Sequence, residues 1–335
     1  MIVTSETNKK PLKHKKLIIV LVIILASIIA LISTFFIMVK LGEIKLKNSL
    51  VANENVSEIG DNMDENAIHY NGKSYYYNEH LINILLIGTD NEKIADTGRG
   101  QADALYLASV DTKSNQVKIV SISRNTLCEL NVLSMTGEAF GTENKQICLA
   151  YAYGNDDVSS SENCVKAVSK LLYDIPINGY YTIGFKSISK IVNSVGGVTL
   201  TIPDESPYQE FNDRLGKNVK LNGEEALLYL RMRGDSNAPR VERHKQFIKS
   251  FVNSAKTATK KDISLPIKMA NQLSRDSTTN LDVSSIVYLA TEALDWKLSF
   301  INIQGEYGIK DNLEIFTVDE NKLKETVLDN FYIAK

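Results

Sequence analysis

The hydrophobic pattern changes character several times along the chain. Leu17 to Val39 is an apolar run without a charge, long enough to cross a bilayer as a helix. A core helix of that length would show a polar face. A cleaved signal peptide would have a shorter apolar stretch followed by a small-x-small site, whereas Lys40-Leu41-Gly42 follows here. The pattern predicts an uncleaved transmembrane anchor over 17–39, then a polar extracytoplasmic stalk over 40–67.

From residue 68 onward, short apolar runs alternate with helical spacing. Asn71-Gly72 between aromatic stretches predicts a hairpin. Leu81–Ile87 is a continuous apolar run of the kind a strand buried on both faces shows. Ala104–Val110 and Val117–Ile122 are further strands, joined by a tight turn at Asp111–Asn115. Val165, Val168, Leu171 and Leu172 fall on one helix face, with Ser159 or Ser160 as the cap. Phe185, Ile188, Ile191, Val192 and Val195 repeat that spacing until Gly196-Gly197 stops it, and Val198–Ile202 reads as a strand. Leu221-Asn222 opens a helix, residues 240–255 form an amphipathic one, Leu298–Ile303 is a strand and Glu320–Tyr332 a closing helix. The alternation predicts an α/β fold: a layered α/β/α domain with a mixed central β-sheet over 68–335.

Charge sharpens the topology. The chain of 335 residues carries a net charge of −2, but Lys9, Lys10, Lys13, Lys15 and Lys16 crowd the first sixteen residues. That bias sets residues 1–16 in the cytoplasm and the body of the chain outside, as a single-pass protein of the cell membrane. The body is net acidic, the opposite of a nucleic-acid binder. Cys128, Cys148 and Cys164 lie in this external part, where one disulfide is permitted, with Cys148–Cys164 as a possible pair. His69, His80 and His244 are too scattered in sequence to suggest zinc.

The chemistry concentrates in arginines. Arg231, Arg233, Arg240 and Arg243 crowd one short stretch. On a helical wheel, Arg240 and His244 fall in or beside the apolar face of the 240–255 helix and Arg243 at its border. A guanidinium leaning toward a core needs an anion. One such residue is usually structural; four together favour a phosphate or carboxylate site. Asp90 follows one strand and Asp103 precedes the next, where α/β folds gather ligands. Two carboxylates there suit Mg²⁺, with Mn²⁺ as an alternative. Arg124 ends the strand Val117–Ile122 near the same sheet end. Gly98-x-Gly100 is not a dinucleotide fingerprint, because Asp103 stands where its third glycine belongs, and no Gly-x-Ser-x-Gly elbow occurs.

The strings NILLIGTD, GRGQADALYLASVD, VKIVSISRNTL, LAYAYG, GFKSISKIVNSVGGVTLTIP, LNGEEALLYLRMR and RVERHKQFI, in that order over residues 81–255, resemble the LytR-CpsA-Psr family. The resemblance implies an extracytoplasmic phosphotransferase of Gram-positive-type envelopes. Such enzymes take a glycan from a polyprenyl-pyrophosphate carrier lying in an apolar tunnel and transfer its phosphate to a peptidoglycan hydroxyl. Wall teichoic acid or capsular polysaccharide is the usual cargo. Matched by motif, Asp90 and Asp103 resemble the Mg²⁺-binding acids, and Asp103, Arg124, Arg231, Arg233 and Arg240 the catalytic set. Arg99, Arg243 and His244 would bind substrate. Arg99 stands four residues before Asp103 instead of two. The usual Arg-Asp-Thr reads Arg124-Asn125-Thr126, and the usual Arg-Gln reads Arg243-His244. These departures leave two alternatives open: a non-catalytic polyprenyl-phosphate sensor or carrier, and a pyrophosphatase that releases the glycan to water. The Phe185/Ile188/Ile191/Val195 and Val165/Val168/Leu172 stripes are candidates to line the tunnel, ordinary core being the simpler reading of each.

Overall fold

The computed structural model describes residues 33–49, 67–90, 100–134, 138–204, 209–232, 238–274, 276–292 and 296–335. Helix α1 (33–48) comes first. Strands β1 (Ile68–Tyr70) and β2 (Lys73–Tyr77) form the hairpin expected at Asn71-Gly72. Both turn residues have positive φ, 49° and 75°, as a two-residue type I′ loop requires. β3 (Leu81–Thr89), β4 (Ala102–Asp111) and β5 (Gln116–Ile122) follow as an antiparallel meander. β6 (Leu127–Leu133) and β7 (Ala139–Gln146) make a separate hairpin. Helices α2 (Leu149–Ala152) and α3 (Asp157–Leu171) come next. β8 (Gly179–Gly184) runs parallel to β3 and leads directly into α4 (Phe185–Ser194). A two-stranded unit, β9 (Val198–Thr201) with β10 (Asn218–Leu221), precedes α5 (Gly223–Arg231) and the long α6 (Ala238–Lys261). α7 (Leu265–Leu273), β11 (Ser277–Thr279), α8 (Val283–Glu292) and β12 (Lys297–Asn302) follow. β13 (Gly305–Lys310) and β14 (Leu313–Val318) form another hairpin, and α9 (Glu320–Phe331) leads to β15 (Tyr332–Ala334), which pairs with β2.

The central sheet has the order β11-β8-β3-β4-β5-β12. β3 with β8 and β5 with β12 are parallel; the other neighbours are antiparallel. The expected mixed sheet is present, with helices on both faces.

Alternation along β3 sorts its side chains between two unlike faces. Leu81, Leu85 and Ile87 join Leu105, Leu107 and Val120 in the main core, closed by α2, α3 and α9. Val165, Val168 and Leu172 are fully buried there, so this stripe lines no channel. α3 starts at Asp156, earlier than the cap expected at Ser159 or Ser160. The Asp156 carboxylate accepts from Ser159 N, and Ser159 Oγ returns the bond to Asp156 N. On the opposite face Ile82, Ile84, Val110, Val117 and Ile119 pack with Leu46, Tyr288 and Trp296. Leu86 breaks this cover: it is 37% exposed, although its strand has neighbours on both sides, Tyr106 on β4 and Tyr181 on β8.

Helix α4 continues that open patch. Phe185, Ile188 and Ile191 are only half-buried, while Ser187, Ser189 and Val192 point inward. The reason is its tight fit on α5. Ser189 Oγ donates to Gly223 O at 3.0 Å, and a Cβ on Gly223 would stand 2.2 Å from Ser189 O. The serine face makes this close approach; Val192 and Ile188 pack with α5 in a second core, and Phe185 and Ile191 are left half-buried.

The N-terminal boundaries differ from expectation. The expected cytoplasmic tail over 1–16, most of the expected anchor over 17–39 and residues 50–66 lie outside the described residues; among those described, no helix is long and apolar enough to cross a membrane. α1 runs past residue 39 and docks onto the domain instead of opening a stalk. Leu46 is 1% exposed. Asn178 Nδ2 donates to Leu46 O at 3.1 Å and Ser49 O at 3.0 Å, which satisfies carbonyls that the helix end would leave orphaned. Lys45 pairs with Asp282.

Candidate active site

Strand register decides where the chemistry collects. Thr89 is registered with Ala102 and Gly184, Leu105 with Ile122, and Ser121 with Asn302. The C-terminal ends of β3, β5, β8 and β12 therefore share one sheet edge with the start of β4. Asp90, Asp103 and Arg124 meet at that edge. Arg124 forms an ion pair with Asp103 and donates a second hydrogen bond to Gln101. The Asp103 carboxyl is 3% exposed and the guanidinium 23%. Burial works against the Arg124 charge, but Cys148, Asp103 and Asp90 around it more than offset that and hold its pKa above the ordinary value. Cys148 reaches the same guanidinium at 3.7 Å. The N-terminus of α4 opens directly after Gly184 with no side-chain cap.

The three cysteines are free thiols, so the Cys148–Cys164 bridge is not formed. Cys148 is turned toward Arg124, and Cys164 is buried in the main core. Burial pushes all three thiols up, Cys128 to about 12.

A second basic group stands on α6 and α5. Arg243, expected at the border of the apolar face, is 6% exposed and donates to the Met232 carbonyl. His244 is equally buried. Its Nε2 lies 3.0 Å from Leu230 O and its Nδ1 2.6 Å from the Tyr106 hydroxyl. A carbonyl only accepts, so Nε2 carries the proton and Nδ1 accepts from Tyr106. Burial first, then Arg240 and Arg243, lower the His244 pKa to about 4. Both ring nitrogens are engaged by protein, so His244 is a neutral strut between α5 and β4. It has no N–H to offer a substrate phosphate. Arg240 is half-buried and close enough to Tyr106 to oppose the burial that raises its phenol. Arg231 is exposed in the last turn of α5. Arg99 and Arg233 lie outside the described residues.

The sequence missed Gln101, Tyr106 and Cys148. Gln101 and Tyr106 sit two residues before and three after Asp103, in a strand pattern that carries no chemical spacing of its own.

The LytR_cpsA_psr family model matches residues 43–330. The chain belongs to the LytR-CpsA-Psr family. It is 30% identical over 197 residues to the polyisoprenyl-teichoic acid–peptidoglycan teichoic acid transferase TagV of Bacillus subtilis, covering 56% of this chain and 46% of that one. To TagU of Enterococcus faecalis it is 27% identical over 254 residues, covering 73% and 77%. The chain spans about half the length of the first curated relatives it matches. The crystal structure of B. subtilis TagV superposes with a TM-score of 0.59 at 27% identity, covering 74% of this chain and 95% of that one. TagT with bound octaprenyl pyrophosphate lipid has the same fold, with a TM-score of 0.54 at 23% identity, covering 74% and 89%. The sheet edge with Asp90, Asp103 and Arg124 is thus set in a LytR-CpsA-Psr domain.

Proposed function

We propose that this membrane-anchored chain moves a glycopolymer phosphate from a polyprenyl-pyrophosphate carrier to a peptidoglycan hydroxyl outside the cell. The observation that carries the reading is a half-buried guanidinium, Arg124, held by Asp103 and close to Asp90 at the edge of a sheet whose face bears the exposed Leu86. Charge for a diphosphate and apolar surface for its prenyl chain adjoin there. The names of the relatives, transferases acting between polyisoprenyl-linked teichoic acid and peptidoglycan, support the same substrate classes.

The chain's own residues divide the labour. Arg124, with Arg240 and Arg231 from the neighbouring helices, neutralises charge that builds on the diphosphate as it is cleaved. In such transfers positioning and electrostatic stabilisation supply most of the catalysis. The uncapped N-terminus of α4 adds main-chain N–H donors for a phosphate oxygen. Asp103 fixes the direction of Arg124 and is placed to take the acceptor's proton. The acceptor oxygen bonds to the glycan-linked phosphorus, the bond from that phosphorus to the bridging oxygen breaks, and polyprenyl phosphate leaves. Tyr106, Phe185 and Leu86 offer the prenyl chain its apolar bed. Asp90 and Asp103 are hard oxygen donors and fit Mg²⁺, which binds through one or two carboxylates together with substrate phosphates. Bound there, the ion would supply further neutralisation of the diphosphate.

The test uses the full chain in detergent with a lipid-linked glycan donor, peptidoglycan and Mg²⁺. Covalent attachment of glycan is expected. If none forms while a related transferase succeeds under the same conditions, the reading fails.

A further inference from the structure

Asn125 stands next to Arg124 and is 6% exposed. Its Nδ2 donates to Glu314 Oε2 at 2.8 Å, and its Oδ1 accepts from Gln146 Nε2 at 3.3 Å. The same Gln146 nitrogen donates to the main-chain oxygen of Glu314 at 2.7 Å. Main chain closes around this triad. Phe316 N donates to Asn125 O at 2.8 Å, Thr126 bridges to Phe316, and Tyr307 Oη donates to Ser123 Oγ at 3.3 Å. On its other side the loop is tied to the next segment: Ile147 N donates to Thr126 O and Cys148 N to Arg124 O.

The β13–β14 hairpin brings little core of its own. β13 is exposed along its whole length, and Ile309 and Leu313 are 80% and 57% exposed. Of the hairpin, only Phe316 is buried in the main core, with Val318 packed half-buried against it. An isolated two-stranded hairpin is marginal in water, so this one is held in place by the loop it grips.

We propose that Asn125, Gln146 and Glu314 are positioning residues that fix the direction of the Arg124 guanidinium, and that the amide at 125 and the carboxylate at 314 are a matched pair. This rests on the reading of Arg124 as a diphosphate-binding group. An amide offers Glu314 a donor and Gln146 an acceptor at once. A carboxylate at 125 only accepts and would place two like charges in contact, which cannot both ionise without cost. The departure from the family's usual acid at this position is therefore compensated by the hairpin, and it does not signal lost activity.

The test compares Asn125→Asp, Glu314→Gln and the double variant in the full chain in detergent. Transfer by Asn125→Asp falls about tenfold, through kcat more than KM, because Arg124 acts most in the transition state. Glu314→Gln gives a smaller loss. The double variant returns to within about threefold of the parent, because the donor and acceptor have exchanged places. Amide hydrogen exchange over 123–127 and 314–317 is read alongside: it quickens in Asn125→Asp and slows again in the double variant. Loss in Asn125→Asp without rescue by Glu314→Gln overturns the matched pair. Exchange that is rescued while transfer is not makes the clamp structural only and overturns the positioning role. If the parent transfers nothing, the proposed function fails, and the exchange pattern alone then decides whether the pair is matched.

Discussion

Two neighbouring residues of one strand show how differently the faces of the central sheet are built. Leu85 is wholly buried against the main core, whereas Leu86, pointing the other way, is 37% exposed between Tyr106 and Tyr181. Both belong to a strand with partners on each side, so the strand's place in the sheet does not explain the contrast. The covering layer does. α2, α3 and α9 press apolar side chains onto one face. On the other, α4 turns its serines to α5 and leaves Phe185, Ile188 and Ile191 half-covered. The other face has its own core around Ile82, Ile84 and Trp296 and is open only near Leu86, where the proposed function puts the ligand; Arg124, Asp103 and Asp90 stand at the nearby end of the sheet.

The largest expected effect tests that edge. Arg124→Ala and Asp103→Ala each lower glycan transfer about a hundredfold or more, the scale of removing a group that acts on transition-state charge. Transfer assays on lipid-linked donor measure this. Retention of near-parental rates by both variants would move the chemistry away from the sheet edge.

Leu85 and Leu86 then separate stability from binding. Leu85→Ala leaves a cavity in a close-packed core and costs about 2–5 kcal/mol. Leu86→Ala costs less than about 1 kcal/mol, yet weakens retention of octaprenyl pyrophosphate severalfold. Thermal unfolding and lipid binding, measured on both variants, should move in opposite proportions. Equal destabilisation by the two would show that the open face is core like any other.

The third effect is acid sensitivity on the open face. His244 has its pKa lowered to about 4 from the 6.5 of an unperturbed imidazole. Between those values the unfolded chain binds a proton that the folded chain does not, so stability rises with pH through that window. The full contribution is present above about 6.5 and is lost as pH falls toward 4, amounting to roughly 3 kcal/mol. His244→Gln cannot take up the proton, and its denaturation midpoints should be flatter over the same range. A parent and variant with parallel pH curves would mean that the imidazole is not held neutral by Tyr106 and Leu230.

How much of this was legible in the sequence follows from the range of each interaction. Asp90, Asp103 and Arg124 come to one sheet end because consecutive antiparallel strands return to it, which the run of three apolar strands made legible. The helical wheel turned His244 toward the core correctly and put Arg243 only at the border, but it gives an angle and not the neighbour waiting there: the Met232 and Leu230 carbonyls come from the end of the preceding helix. Ser159 is part of the α3 cap but not its first residue, since Asp156 and Ser159 satisfy each other reciprocally. The β6–β7 and β13–β14 hairpins left little hydrophobic trace because their outer positions face solvent. With them went the partners of Asn125, which lie far along the chain at Glu314. The serine face of α4 was hidden for a related reason: the apolar stripe was read correctly as a stripe, but Gly223, which decides which face meets α5, comes from a different helix.

The smallest effect bears on whether the two faces are independent. Asp156 caps α3 on the closed face, accepting from Ser159 N at 2.6 Å while Ser159 Oγ accepts from Asp156 N at 2.9 Å. Asp156→Ala removes one side of that exchange and should cost about 1 kcal/mol, as cap deletions do. Nothing in the cap touches Leu86, Tyr106 or Phe185, so lipid binding should be unmoved even as the unfolding midpoint falls. If Asp156→Ala weakened octaprenyl pyrophosphate binding as well, strain would be passing through the sheet from one face to the other. The open face would then owe its shape to the packing of the closed one, and not to the serine-lined contact between α4 and α5.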